Sequence, residues 1–138
     1  MKYIIVTGGA GFVGSSLIEL LLKRTTYTII SLDNYSTGSS NNHMNNKRVI
    51  YKKGSTKKFS KIFESIKNKI HTIFHFGEFS RIYPSFENKD KCFDSNILGT
   101  YNVINFCLNN KIKIIYSSTS AFLGNNAQDQ NLSPYSFF

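Results

Sequence analysis

Lys2-Tyr3-Ile4-Ile5-Val6 passes without a spacer into Thr7-Gly8-Gly9-Ala10-Gly11-Phe12-Val13-Gly14, and Ser15 to Lys23 then carries apolar residues at helical spacing. A β-branched strand, a glycine-rich turn and an amphipathic helix in immediate succession leave few folds open. Gly9, Gly11 and Gly14 satisfy G-x-G-x-x-G at that junction. Each glycine is then expected to serve a separate purpose, which is to make a tight turn, to let backbone approach a pyrophosphate, or to let helix pack closely on strand. The free N–H groups at the helix N-terminus would face the phosphates.

The second apolar run, Tyr27 to Leu32, ends in Asp33, nineteen residues beyond Gly14. That is where a dinucleotide fold places an acid to accept hydrogen bonds from the adenosine ribose. Asp33-Asn34-Tyr35-Ser36 contains no arginine to neutralise a 2′-phosphate, so NAD is favoured over NADP.

Along the chain the pattern reads as strand 2–6, helix 12–23, strand 27–32, polar loop 33–46, strand 48–53, helix 57–67, strand 71–76, helix 90–109 and strand 112–117. Alternating strands and helices with right-handed crossovers build an α/β Rossmann-like, doubly wound parallel sheet with helices on both faces, in the order 3-2-1-4-5. Ligands belong at the carboxyl ends of its strands, where Gly8, Asp33, Phe76 and Ser117 fall. The repeat Phe93, Ile97, Tyr101, Ile104 and Leu108 predicts a buried stripe on the 90–109 helix, bordered by Asn96. His75, within the interior strand Ile73-Phe74-His75-Phe76, reads as a satisfied core residue rather than a proton shuttle. The Ser/Asn-rich stretch 36–46 reads as a loop, either mobile or wrapped around the adenosine.

The 138 residues make one domain, and 41% hydrophobic content with 14% aromatics is globular composition. No run of 18 apolar residues suggests a membrane span, and the first residues enter a strand without a signal-peptide pattern, so a cytoplasmic protein is expected. Cys92 and Cys107 stand on one predicted helix, roughly 22 Å apart at about 1.5 Å rise per residue, too far to bond. With no Cys/His cluster, no metal site is expected. The net charge of +9 is concentrated: nine of the seventeen basic residues lie between Lys47 and Lys69, against the single acid Glu64. Phe59, Ile62, Phe63 and Ile66 take one side of that helix and Lys57, Lys58, Lys61 and Lys67 the other, which is a solvated face rather than a nucleic-acid site. Its field would attract a polyanionic sugar nucleotide.

Taken together, the glycine turn with Asp33-Asn34, His75-Phe76-Gly77, Asn96-Ile97-Leu98-Gly99-Thr100, Ser117-Ser118-Thr119 and Ser133-Pro134-Tyr135 resemble the extended short-chain dehydrogenase/reductases, the NAD-dependent sugar-nucleotide epimerase/dehydratase family. The resemblance spans the chain, with six motifs in order. It implies a Rossmann domain, here residues 1–138, that is incomplete and lacks the smaller C-terminal domain that holds the nucleotide sugar. It also implies that Gly8, Gly11, Phe12, Val13 and Gly14 lie along the pyrophosphate, that Asp33, Asn34, Tyr35, Ser36, Thr37 and Gly38 surround the adenosine, and that Ser55 and Thr56 flank the adenine. The family often has an Asp where Ser55 stands, so adenine recognition is left to a hydroxyl or to backbone. Phe76, Gly77, Glu78 and Ser80 would line the cofactor after the fourth strand, with Asn96 reaching it from the next helix and Ser117 from the fifth strand. The family commonly has a small or amide residue near Glu78.

The resemblance further implies a catalytic pair. Tyr135 as phenolate would take a proton from a sugar hydroxyl while hydride passes to nicotinamide, and Thr119 would hydrogen-bond the same oxygen. Ser133-Pro134-Tyr135 opens a Tyr-x-x-x-Lys pattern, and the sequence ends at Phe138, one residue before the lysine position. Family dehydratases place an Asp-Glu pair after the threonine, where this chain has Ser120-Ala121, so an isomerase of epimerase type is the best fit. Leu123 replaces a frequent tyrosine before Gly124, removing a sugar-facing hydroxyl. The expectation is therefore the NAD-binding portion of a sugar-nucleotide epimerase, truncated and with little turnover alone. The alternative is a non-catalytic NAD-binding module working with a partner chain. Apolar surface on the fifth strand and the 90–109 helix, together with the family's helical dimer, predicts a homodimer, with neither nucleic acid nor membrane as a partner.

Overall fold

The computed structural model describes residues 2–120 and 133–138. Five parallel strands, β1 (Tyr3–Thr7), β2 (Thr28–Asp33), β3 (Val49–Lys53), β4 (Ile70–His75) and β5 (Lys113–Tyr116), form one sheet in the order β3-β2-β1-β4-β5. Ile5 of β1 pairs with Ile30 of β2 and with Ile73 of β4, so the central strand is flanked on both edges. Two-sided burial explains why β2, Thr28–Asp33, is buried throughout instead of alternating.

The strand period of two divides the core. Ile4, Val6 and Ile29 face α1 (Phe12–Arg24) through Ile18 and Leu21. Ile5, Ile30, Leu32 and Ile73 face the opposite side, where α2 (Phe59–Phe63) brings Phe59 and Phe63, and α5 (Thr100–Asn110) brings Val103 and Phe106. Phe59 stacks obliquely on Phe63 and edge-on to Phe106. Truncating either buried phenylalanine to alanine would cost about 3–5 kcal/mol. The Arg48 guanidinium closes the C-terminal end of α1 by donating to the Leu22 and Thr25 carbonyls at 2.5 and 2.7 Å, groups a helix end leaves without partners.

Two helices depart from the expected pattern. The 57–67 segment is a 3-10 turn, Thr56–Lys58, then α2, then a second 3-10 stretch, Glu64–Lys69. The expected helix over 90–109 is an unbroken helical run of α4 (Lys89–Phe93), a π-helical stretch Asp94–Gly99 and α5, and it is preceded by the unforeseen α3 (Ile82–Glu87). Pro84 is tolerated in α3 because it lies in the first turn.

The predicted buried stripe is also on the wrong side. Phe93, Ile97, Tyr101, Ile104 and Leu108 are all exposed, Leu108 to 69%, while Cys92, Asn96, Gly99, Thr100, Val103, Phe106 and Cys107 face the sheet. The reason is steric: a Cβ on Gly99 would stand 2.2 Å from the Thr56 hydroxyl, so only the face with small residues approaches this closely. Both cysteines are free and buried. Burial pushes the Cys107 thiol up to about 11. Finally, α6 (Pro134–Phe137) packs over α3 and α4, with the Tyr135 amide donating to Ser85 Oγ at 3.1 Å and Phe138 edge-on to Phe93.

Candidate functional site

A cleft of about 730 Å³ crosses the carboxyl ends of the strands. Its floor begins at the glycine turn. Gly8 sits at φ +69°, and a Cβ there would lie 2.5 Å from the Phe76 carbonyl, so the residue both turns the chain and lets β1 and β4 close together. The Gly11 amide donates to the Gly8 carbonyl, and Gly11 is the N-cap of α1. A Cβ on Gly11 would meet Gly8 O at 3.3 Å and nothing else, because its other sides face the cleft. On Gly14 it would strike the same carbonyl at 2.2 Å. Gly8, Gly11 and Gly14 therefore form the working triplet. Gly9, expected in that triplet, instead faces the sheet, where a Cβ would meet Ser31 Oγ at 2.2 Å, and it does not line the cleft. No acid occupies the first turn of α1, so the positive end of its dipole opens on the cleft uncompensated.

Beside the turn, both oxygens of Asp33 accept backbone amides, Oδ2 from Ala10 at 2.9 Å and Oδ1 from Tyr35 at 2.8 Å. The carboxylate is thus fixed in orientation while keeping further lone pairs for hydroxyl donors. The segment after β2 is fastened rather than loose. Ser39 N and Asn42 Nδ2 both donate to the Ala10 carbonyl, at 3.0 and 2.8 Å, and Gly38 fits because a Cβ would already lie 3.0 Å from Ala10. Tyr35, at φ +60°, points its hydroxyl to His43 Nε2 at 3.0 Å, and His43 stacks on Tyr51 at 3.7 Å between centroids. That aromatic stack takes Tyr35 out of the cleft lining. Ser55 is likewise outside it, its hydroxyl accepting the Lys57 amide to cap the 3-10 turn, while Thr56 and Gly54 line the wall.

At the far end a chain of hydrogen bonds connects the sheet interior to the cleft. Thr7 Oγ1 accepts the Phe76 and Gly77 amides, at 3.1 and 2.9 Å, so its own proton goes to His75 Nδ1 at 2.6 Å. His75 Nε2–H then donates to Thr100 Oγ1 at 2.9 Å, and Thr100 donates to Glu78 Oε1 at 3.2 Å. Fully buried and already satisfied as a neutral ring, His75 has its pKa pushed down to about 4 by burial. Glu78 is half-buried, and its carboxyl is held above the usual carboxylate range by burial, opposed by hydroxyls of Tyr116, Thr100 and Ser117. Tyr116 is pushed up to about 12, by burial first and then by the Glu78 charge, so it stays a neutral phenol.

Asn96 borders the cleft, yet its amide serves the neighbouring loop. Oδ1 accepts the Phe79 amide at 2.7 Å and Nδ2 donates to the Phe79 carbonyl at 3.1 Å. It holds the 77–80 segment in place from the π-helical stretch, an irregularity often found at functional sites. Phe12, 84% exposed, and Val13 line the opposite lip. The residues around 117–119 and Tyr135 complete the far wall. All the residues expected from the sequence line this one cleft except Gly9, Tyr35 and Ser55. Leu123 and Ala121 lie outside the described residues. Reading the sequence missed Asn42, Arg81, Ser95, Tyr116 and the C-terminal Phe137 and Phe138 as wall residues. Of these, Tyr116 had a signal, since it directly precedes Ser117 at a strand end. Among the described residues no helix is long and apolar enough to cross a membrane.

Comparison with known proteins agrees with this geometry. A dTDP-D-glucose 4,6-dehydratase of Dictyostelium discoideum is 33% identical over 95% of this chain, and an ADP-L-glycero-D-manno-heptose-6-epimerase of Brachyspira hyodysenteriae is 32% identical over 88%. The chain spans about a third of the length of these relatives, 32% and 38% respectively. Among solved structures, a UDP-glucose 4-epimerase of Thermotoga maritima with UDP-glucose superposes with a TM-score of 0.85 at 25% identity, over 99% of this chain and 47% of that one. The UDP-Glc/GlcNAc 4-epimerase of Campylobacter jejuni gives 0.83 at 28% identity, over 99% and 45%. Residues 4–136 match the NAD dependent epimerase/dehydratase family, and with a parallel sheet, glycine turn and cleft of the matching kind the chain belongs to that family.

Proposed function

We propose that this chain is the NAD-binding portion of a sugar-nucleotide epimerase-like enzyme. One observation carries the reading: a single continuous cleft joins the fixed carboxylate of Asp33, the side-chain-free Gly11 at the head of α1, and the Thr119 and Tyr135 end. The cleft fits NAD by the chemistry of its donors and acceptors. Asp33 would accept the ribose hydroxyls, with Asn34, Ser36, Thr37 and Gly38 around the adenosine and Thr56 near the adenine. Gly8, Gly11, Phe12, Val13 and Gly14 would hold the pyrophosphate through backbone N–H groups. Phe76, Gly77, Glu78, Ser80 and Ser117 would enclose the nicotinamide, with Asn96 holding that loop. Bound NAD would supply the hydride acceptor.

Tyr135 and Thr119 are proposed as the catalytic residues, the Tyr135 phenolate taking the proton of a sugar hydroxyl and the threonine orienting the same oxygen. The neutral Tyr116 nearby offers a hydrogen-bond donor and no base. The two walls around them belong to the strand ends and to α6, so a nucleotide sugar would be positioned at the mouth, and positioning of this kind contributes about 7–11 kcal/mol to lowering a barrier. Turnover by the 138 residues alone is expected to be negligible. The exposed row of Phe93, Ile97, Tyr101, Ile104 and Leu108 supports a homodimer built on this helix face.

Calorimetric titration tests the reading. NAD should bind and NADP should bind more weakly, because Asp33 would face the 2′-phosphate with a like charge. Tighter binding of NADP would overturn it, and sedimentation as a monomer at micromolar concentration would overturn the dimer.

A further inference from the structure

Glu78 is one of two acids among the described residues that line the cleft. It follows β4 at the carboxyl edge of the sheet. Thr100 on α5 donates to Oε1, and the hydroxyls of Tyr116 and Ser117 reach it from the end of β5. His75 of β4 stands behind Thr100 as a neutral ring, and Cys92 on α4 is a neutral thiol whose ionisation the Glu78 charge opposes. Among the described residues Glu78 has no ion-pair partner, since the salt bridges join Lys23 to Glu19, Lys57 to Asp94 and Lys67 to Glu64. Neutral hydroxyls orient the carboxylate and leave its charge uncompensated.

The other acid of the cleft, Asp33, has both oxygens engaged by amides at the opposite end. On the NAD reading above, that end meets a part of the cofactor that is the same in both redox states. The Glu78 end, beside Thr119 and Tyr135, meets the nicotinamide, which carries a positive charge when oxidised and none when reduced.

We propose that Glu78 is a redox-state selector: its uncompensated carboxylate favours the oxidised cofactor over the reduced one. An enzyme whose cycle must start from the oxidised form is thereby kept loaded with it, and the reduced form is left the less stable of the two while bound. A unit charge within several ångströms, at the effective dielectric of a partly open cleft, is worth about tenfold in relative affinity.

The test is titration of the chain at pH 8 with NAD+ by calorimetry and with NADH by its fluorescence, for the wild type, Glu78→Gln and Glu78→Ala. The wild type should favour NAD+, and both variants should lower the NAD+ to NADH affinity ratio about tenfold, through weaker NAD+ binding. In the variants the same tenfold appears as a rise of about 30 mV in the potential of the bound two-electron couple. Circular dichroism confirms that the variants are folded, and the two substitutions remove the charge with different losses of packing. An unchanged ratio in both overturns the proposal, as does an equal loss of affinity for the two forms, which is the mark of a purely structural role. A wild-type chain that binds neither form overturns the NAD reading itself, and the selector with it.

Discussion

Adding one methyl group at three glycines of the same turn should give three different outcomes. At Gly8 the methyl must adopt φ +69°, which costs a non-glycine residue about 1–2 kcal/mol, and it would also press on the Phe76 carbonyl at 2.5 Å. Because that contact is with backbone at the end of β4, relief requires separating two central strands, and Gly8→Ala should lose about 3–4 kcal/mol in all. At Gly14 the methyl gains about 1 kcal/mol of helix propensity, yet it meets the Gly8 carbonyl at 2.2 Å and must push α1 off the turn. Gly14→Ala should lose about 2 kcal/mol net. At Gly11 the backbone is ordinary, φ −81°, and the one neighbour stands at 3.3 Å. Gly11→Ala should stay within about 1 kcal/mol of wild type, the cost of a changed N-cap. Its methyl would stand in the cleft, where it displaces a phosphate from one or two charge-assisted hydrogen bonds of about 1.5–3 kcal/mol each. NAD affinity should therefore fall about 10-fold to 100-fold or more. Urea unfolding followed by circular dichroism measures the first quantity and calorimetric titration the second. The reasoning fails if Gly11→Ala binds NAD like wild type, or if Gly8→Ala and Gly14→Ala are as stable as the parent.

Two further outcomes follow from other parts of the molecule. His75 is depressed from 6.5 to about 4 in the folded chain, so between these values the unfolded state binds more protons and stability rises with pH. Acidification from pH 6.5 to 4 should remove about 3 kcal/mol through this residue, and His75→Gln should flatten the unfolding profile across that window; an unaltered profile would refute the assignment. For Glu78 the sign reverses, because its folded carboxyl is raised and holds its proton to higher pH than the unfolded one. Stability should fall as pH rises from the ordinary carboxylate range through the raised value, and a variant Glu78→Gln that keeps this fall would show another group to be responsible.

The order of the sheet was legible because each strand is a short β-branched run separated from the next by a helical pattern, and parallel crossovers then allow few arrangements. Asp33 was legible for the same reason, since strand ends locate a ligand site before any side chain is placed, whereas Thr56 was implied only by the family resemblance. The choice of glycines was not. Gly8, Gly9 and Gly11 satisfy competing spacings, and only the +69° backbone at Gly8 and the Ser31 hydroxyl under Gly9 separate turning from packing. The helix after β4 failed for a different reason. Its residues carry an apolar stripe and a small-residue face together, and hydrophobic spacing selected the stripe, whereas the need of Gly99 to pass the Thr56 hydroxyl selected the other side. Asn96 shows the same blindness to partners: its position at the cleft was readable, but not that both ends of its amide are committed to Phe79.

The Ala10 peptide is engaged at both of its polar ends, its N–H by Asp33 and its carbonyl by Ser39 and Asn42. A single residue thus ties the phosphate turn to the segment that follows β2 before any ligand arrives. Ordering a loop at the moment of binding normally consumes conformational entropy, about 1–2 kcal/mol for each residue's backbone fixed. Here that expense is met during folding, so this half of the cleft can receive its ligand as a preformed mould. Removing the Asn42 amide would weaken the tie to the Ser39 amide alone while leaving Asp33 and the glycine turn in place, and the loss would appear chiefly in the entropy of binding.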